Sequence, residues 1–356
     1  MWKRMRAGAV CGLLALAGSV PVVGPALSQG AVAPAAEKPV QLAIAHWVPP
    51  AHPLHKSLQA WIADVNAESG GTLTARVFPA EQLGKAVDHY DMARDGIADM
   101  TLVNPGYQPG RFPILAAGEL PFLSTDAKQA SGAIDAWYRA YAEKEMKDVH
   151  YCMLFIHDPG VFHSRHKIAV PSDIKGMKVR PANATIGAWI RLMGGSNVQA
   201  SAPAARDLLE HGVADAITNP WGSTILFGID KVTDYHLDEG MYGSIQMWVM
   251  NKAKYNALGP RQKKAIDDHC TSEWTIRFVS PWVDFEHEGR AKMAAEKGHI
   301  LTPMTPEALK LWQDSAKPLK KRWSDRIRAR GLGDPDQMFG GLEASLVKYN
   351  AAYDGK

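Results

Sequence analysis

The chain has 356 residues, long enough for two lobes with their own cores, and carries 40 Lys and Arg against 37 Asp and Glu. Three of the basic residues, Lys3, Arg4 and Arg6, precede an apolar run from Ala7 to about Leu27. Without them the chain is close to neutral, so nothing in its charge favours a nucleic acid or an acidic membrane surface. The apolar run is broken by Pro21 and Pro25 and followed by small residues, which predicts an export signal peptide over 1–28. No later stretch approaches the ~20 apolar residues of a membrane span, so the mature chain is not expected to insert. Apart from Cys11 inside that run, the cysteines are Cys152 and Cys270. Two lone cysteines so far apart make no disulfide framework, and both are expected as buried free thiols.

Gln41–His46 reads as a strand, and Leu54, Leu58, Trp61, Ile62 and Val65 then fall on one helical face that Ser69-Gly70-Gly71 ends. Leu73–Phe78 predicts a second strand. Ala86, Tyr90 and Ala93 mark a helix ended by Gly96, and Ala98–Val103 is the third strand. The order β-α-β-α-β with short connections predicts a parallel sheet. Strands are expected near Cys152–Phe155 and Ile245–Met250. Between them the first order returns: strand Met177–Arg180, helix Thr185–Met193, strand Asn197–Ser201, helix Ala204–Glu210, strand Ala214–Thr218. Thr305-Pro306-Glu307 caps a helix carrying Leu309, Trp312, Leu319, Trp323 and Ile327, and a last helix covers Leu342–Tyr353.

One pattern is written twice. Asp95-Gly96-Ile97-Ala98-Asp99 leads through an apolar stretch to Asn104-Pro105-Gly106-Tyr107, and His211-Gly212-Val213-Ala214-Asp215 leads to Asn219-Pro220-Trp221-Gly222. Each copy reads as a helix ended on Gly, a buried strand, and a turn at its C-terminal end, where open α/β sheets bind ligands. The fold class expected is α/β with two lobes, each a Rossmann-like mixed sheet flanked by helices, joined by hinge strands and closed by C-terminal helices. The boundaries are 38–155 and 250–300 for the first lobe, 156–249 for the second, and 301–356 for the closing helices.

Arg180 ends a short strand before Pro181, which places five N–H donors where they suit a carboxylate; the other reading is a salt bridge. Asn104 and Asn219 can each bind a ligand oxygen, or simply start the turn their Pro requires. Trp47, Tyr107, Trp221 and Trp248 all fall at predicted strand ends, where they could wall a pocket or fill a core. His52-Pro53-Leu54-His55 and His163-Ser164-Arg165-His166 have the spacing of metal ligands but no third ligand nearby, and capping or surface roles are expected instead. No nucleophile elbow, phosphate loop or dinucleotide loop is present, so no catalytic residue, metal or cofactor is expected.

With these residues in view, the chain resembles the solute-binding proteins of tripartite ATP-independent periplasmic (TRAP) transporters, the DctP type. The resemblance is carried by Ala45-His46-Trp47-Val48-Pro49-Pro50 with His52-Pro53, by Phe78-Pro79-Ala80-Glu81-Gln82-Leu83-Gly84, and by Pro105-Gly106-Tyr107 with Pro109-Gly110-Arg111-Phe112-Pro113. It continues through Glu119-Leu120-Pro121-Phe122, Asp173-Ile174-Lys175-Gly176-Met177-Lys178-Val179-Arg180, Gly212-Val213-Ala214-Asp215 and Val249-Met250-Asn251-Lys252. It implies a periplasmic two-lobed clamp, monomeric, that shuts on a small organic acid and hands it to membrane permease subunits. It also implies that Arg180 anchors the carboxylate, with Asn219 and Trp221 facing the ligand from the second lobe. Two departures stand out: Ala202–Asp207 lacks the family's usual Glu, and Glu81 stands where Gly is usual. An aromatic or bulky monocarboxylate is expected. The alternatives are a C4-dicarboxylate, a hydroxy or keto acid, or a role as ligand sensor for a histidine kinase.

Overall fold

The parallel unit predicted at the start of the chain forms as its apolar spacing requires. Val40–Ala45 (β1) and Leu73–Phe78 (β2) pair in parallel along their whole length. Between them Pro53–Glu68 (α1) buries Leu54, Leu58, Trp61 and Val65, and His52 caps it by accepting from the Leu54 N–H at 3.2 Å. His89–Asp95 (α2) ends at Gly96 with φ +74°, a left-handed cap that glycine adopts without strain, and Met100–Val103 (β3) follows parallel to β1. This computed structural model describes residues 37–355. The expected signal peptide at 1–28 lies outside them.

Ala127–Tyr138 (α3) and Ala142–Glu145 (α4) lead into Val149–Ile156 (β4) and Val161–Ser164 (β5). The second repeat gives Lys178–Arg180 (β6), Ala184–Leu192 (α5), Ser196–Asn197 (β7), Ala205–Glu210 (α6), Ala216–Asn219 (β8) and Trp221–Leu226 (α7). Tyr235–Asp238 (β9), Ile245–Asn251 (β10), Lys252–Ala257 (α8), Pro260–Asp268 (α9) and Ser272–Ala295 (α10) follow. Ile300–Pro303 (β11), Pro306–Ala329 (α11) and Pro335–Lys348 (α12) close the chain.

Two sheets result, one ordered β2-β1-β3-β10-β4 and the other β11-β9-β5-β8-β6-β7. Each keeps its predicted parallel triplet and gains antiparallel strands from distant chain, β10 beside β3 and β4, and β5 beside β8 and β9. β10 therefore lies in the first sheet although most of it falls within 156–249, and β11 lies in the second sheet although it falls within 301–356. The chain passes between sheets after β4, after β9 and, through α8–α10, after β10. The first two passing segments bond to each other: Gly160 N–H to Tyr242 O at 2.8 Å, Met241 N–H to Gly160 O at 3.1 Å. α10 spans both halves, packing on α1 and α3 on one side and on α7 on the other.

The repeated motif has a common structural role. Asp99 N–H donates to Ala43 O at 2.8 Å while its carboxylate accepts the Ala43 N–H at 2.8 Å. Asp215 does the same with Lys178, at 2.7 Å in both directions. Each Asp thus extends its strand's pairing by a side-chain bond, which a charged acceptor strengthens. One expectation is corrected: Cys152 on β4 and Cys270 at the start of α10 form a disulfide, closing a separation of 118 residues. Spacing along the chain hid it, because only the packing of α10 beside β4 brings the two together.

Candidate functional site

Arg180 is the last residue of β6, held opposite Ile217 of β8, and its side chain is 1% exposed. Nε donates to Ala200 O at 3.0 Å, Nη1 to Thr218 O at 3.5 Å and Nη2 to the Tyr107 hydroxyl at 3.3 Å. Those bonds use three of the five N–H groups, leaving one on each Nη. Among the described residues, no carboxylate is ion-paired with it, whereas other Lys and Arg side chains form such pairs throughout the fold, as Arg139 does with the buried Asp135 at 2.7 Å. Buried charges are ordinarily paired, because leaving water costs several kcal/mol per ion. The salt-bridge reading of Arg180 therefore fails, and a buried cation is left with two donors to spare.

The surrounding walls come from both sheets. Trp47 follows β1, Asn104 and Tyr107 follow β3, Asn219 ends β8, and with Arg180 they line one cavity of about 30 Å³, room for a water or two. An organic acid enters only if the walls separate. The Tyr107 hydroxyl accepts from Arg180 and, at 2.9 Å, from the Ala202 N–H, so its own O–H is left to donate. Asn104 accepts the Gly106 N–H at 2.8 Å, as its turn requires, and its amide N–H groups have no acceptor among the described residues. Asn219 instead donates to Thr224 Oγ1 at 3.1 Å.

Two of the seven expected residues lie elsewhere. Trp221 packs against His163 and His236, with ring centroids at 5.2 and 5.6 Å. Trp248 is wholly buried in the centre of the first sheet against Phe278. Both are core: Trp221 is the first residue of α7, packed on the imidazoles, and Trp248 lies in the middle of β10, beyond the part of that strand that reaches the cavity. Conversely, His157, Gln246, Ser223 and Trp282 line it without having been singled out, and His52 lines it although it was not expected at the site. His52 had a signal in its motif, but it pointed to capping; the others lie in or beside apolar runs that look like any core strand or helix.

Arg180 is the cavity's one charge. Burial pushes His52 down to about 3 and His157 down to about 4, so both are neutral at pH 7. His157 has no polar atom to spare: Nδ1 donates to Asp158 O at 2.6 Å and Nε2 accepts the Ser244 N–H at 3.1 Å. Behind the wall, Glu286 accepts from Ser223 N–H at 2.9 Å and Trp282 Nε1 at 2.6 Å, and burial raises it to about 7. Arg111, the other cation considered for a second carboxylate, is paired with Asp91 at 2.9 Å and lies over the Tyr90 ring. His163 is not a surface residue as expected but the buried start of a line of imidazoles, to His236 at 2.7 Å and on to His299 at 3.0 Å. A line of rings does not converge on one point, and among the described residues no three metal-ligating side chains do. A larger cleft of about 370 Å³ lies near α5 and α11, but the arginines that rim it are exposed to water.

Solved structures with this architecture include TRAP solute binding proteins. A TRAP solute binding protein from Rhodoferax ferrireducens T118, in complex with copurified benzoate, superposes with a TM-score of 0.82 at 28% identity, over 87% of this chain and 98% of that one. A marine metagenome TRAP solute binding protein specific for aromatic acid ligands, with 3-hydroxybenzoate, superposes with a TM-score of 0.82 at 29% identity, over 88% and 99%. The 2,3-diketo-L-gulonate-binding periplasmic protein YiaO of Escherichia coli K12 is 26% identical over 204 residues, 55% of this chain; the chain spans about three fifths of that relative's length. Residues 44–326 match the family described as bacterial extracellular solute-binding protein, family 7, and the chain belongs to that family, the DctP type of TRAP solute-binding protein.

Proposed function

We propose that this protein captures a small organic acid with a single carboxylate and an aromatic or similarly bulky body, and delivers it to a TRAP permease outside the cytoplasm. The observation that carries this reading is the buried Arg180 without an acidic partner. A carboxylate supplies the missing charge, with one oxygen on each Nη and a further bond from the Tyr107 hydroxyl. Asn104 and Asn219 flank that anchor. Trp47, packed on Tyr107 with ring centroids 6.0 Å apart, Phe227 and Trp282 give the apolar walls that a ring would fill.

The preference for one carboxylate rests on charge. The cavity has one cation, Arg111 is committed to Asp91, and a second carboxylate would be buried unpaired. The segments 157–160 and 239–244, bonded to each other between the sheets, would serve as the hinge on which two lobes close. The protein is read as a carrier that releases its ligand unchanged. A thermal-shift screen of the exported chain tests this, with benzoate, phenylacetate, mandelate, succinate and lactate each run beside its amide. A ligand at 100 times its Kd adds about 2.7 kcal/mol, a shift of a few degrees. Stabilisation by an aromatic acid and not by its amide supports the reading; stabilisation by succinate alone would replace it with a dicarboxylate receptor.

A further inference from the structure

We infer that the ligand carries a hydroxyl group in addition to its carboxylate, and that Gln246 and Trp47 read it. This rests on the carboxylate-receptor reading above and goes one step further, to the substrate class. Gln246 is the second residue of β10, opposite Phe155 of β4, and is 2% exposed. It lines the cavity, yet Oε1 is buried with no partner, and among the described residues no bond is made by either end of its amide. Trp47 is 5% exposed, and its indole N–H is likewise buried with no acceptor. Buried polar groups are almost always bonded, since each one left unmade carries its full desolvation cost. Two such groups lining one cavity mark where a ligand supplies the partners.

The two groups differ in what they need. Trp47 can only donate, so the ligand must accept there; Gln246 Oε1 must receive a hydrogen. His52 adds a second donor: Nδ1 accepts the Leu54 N–H, and the neutral ring then carries its proton on Nε2, which has no acceptor among the described residues. A carbonyl or ether oxygen on the ligand would satisfy the donors and leave Gln246 unmet. A hydroxyl does both. The requirement for a hydrogen comes from the amide orientation in the structure, in which Oε1 is the buried atom without a partner.

The placement fits a ligand that bridges the halves. Arg180 belongs to the second sheet, whereas Trp47 and Gln246 belong to the first. An acid held by its carboxylate on the second sheet would meet Trp47 and Gln246 with its far end only when the halves close. The hydroxyl would then reward closure itself, as well as occupancy. The acids that meet these requirements are hydroxylated monocarboxylates of the hydroxybenzoate or mandelate kind.

Calorimetric titration of the exported protein, stripped of co-purified small molecules, decides the matter with two pairs of acids: benzoate against 3- and 4-hydroxybenzoate, and phenylacetate against mandelate. Wild type is expected to bind at least one hydroxylated acid roughly tenfold to a hundredfold more tightly than its parent. Gln246→Met, close to isosteric, is expected to bring that ratio towards one, and Trp47→Phe to reduce it. Circular dichroism and the thermal midpoint establish that each variant is folded. Equal affinity for parent and hydroxylated acids, with binding still lost in Arg180→Met, overturns the hydroxyl inference while the carboxylate reading stands. A hydroxyl preference unchanged in both Gln246→Met and Trp47→Phe overturns their assigned role. Absence of binding by every acid overturns both readings together.

Discussion

The guanidinium of Arg180 and the hydroxyl of Tyr107 meet at 3.3 Å across the space between the two sheets, and both are buried. Tyr107 is thereby shared: it orients the cation, caps the Ala202 N–H, and keeps its own hydrogen for an anion. Tyr107→Phe should cost about 1–3 kcal/mol of stability, because it leaves a buried backbone N–H unpaired. Affinity for a bound acid should fall about tenfold in the same variant. Urea unfolding and calorimetric titration measure the two effects, and a variant with unchanged affinity would remove Tyr107 from the site.

Arg180→Met separates binding from folding. A buried charge without a partner stabilises nothing, so the unliganded variant should melt no earlier than wild type. Two charge-assisted bonds of about 1.5–3 kcal/mol each are lost to the ligand, so affinity should fall at least roughly a hundredfold. Micromolar binding of the same acid by the variant would refute the anchor.

Glu119 predicts a pH dependence of stability. It is buried where the start of β10 meets the start of α5, accepting the Ile245 N–H at 3.1 Å and the Thr185 hydroxyl at 3.5 Å. Burial raises its pKa from 4.5 to about 8. The folded chain therefore keeps this proton up to about pH 8, while the unfolded chain releases it near 4.5. Stability from this group is complete below 4.5 and falls as pH rises towards 8. Glu286, raised to about 7, adds the same sign over a narrower window. Melting curves should show the midpoint decline between pH 5 and 8, and Glu119→Gln should flatten that decline. An equal slope in the variant would contradict the assignment.

The Cys152–Cys270 bridge closes a loop of 118 residues. Restricting so long a loop in the unfolded chain is worth about 2–5 kcal/mol. Cys152→Ala with Cys270→Ala should unfold at correspondingly lower urea concentration, and so should the reduced wild type. Identical midpoints for oxidised and reduced protein would mean that the bridge contributes no stability.

Gly289 of α10 and Gly222 of α7 let two helices touch by backbone. A Cβ at Gly289 would stand 2.2 Å from the Gly222 nitrogen, and main chain cannot swing aside as a side chain can. Gly289→Ala should cost about 1–3 kcal/mol. It should also weaken ligand binding, because α7 carries Ser223 into the cavity wall. An unaltered melting midpoint would show that the helices can part freely.

What the amino-acid sequence determined by itself was local and periodic. The 3.6-residue stripe of α1, the alternation of β2, and the left-handed glycine at Gly96 depend on a few neighbouring residues. So does the strand ended by Pro181 that carries Arg180. The doubled Asn-Pro turn was legible for the same reason, and Asn104, Tyr107 and Asn219, which it marked, line one cavity. What only the tertiary structure decided involved residues far apart in the chain. β10 enters between β3 and β4, carrying Gln246 into the site and Trp248 into the core from adjacent parts of one apolar run. Cys152 finds Cys270 because α10 lies against β4, and Trp221 turns inward because α7 packs its first residue on His163 and His236. An apolar strand states that it is buried; which face meets the ligand depends on the register and neighbours that the rest of the fold supplies.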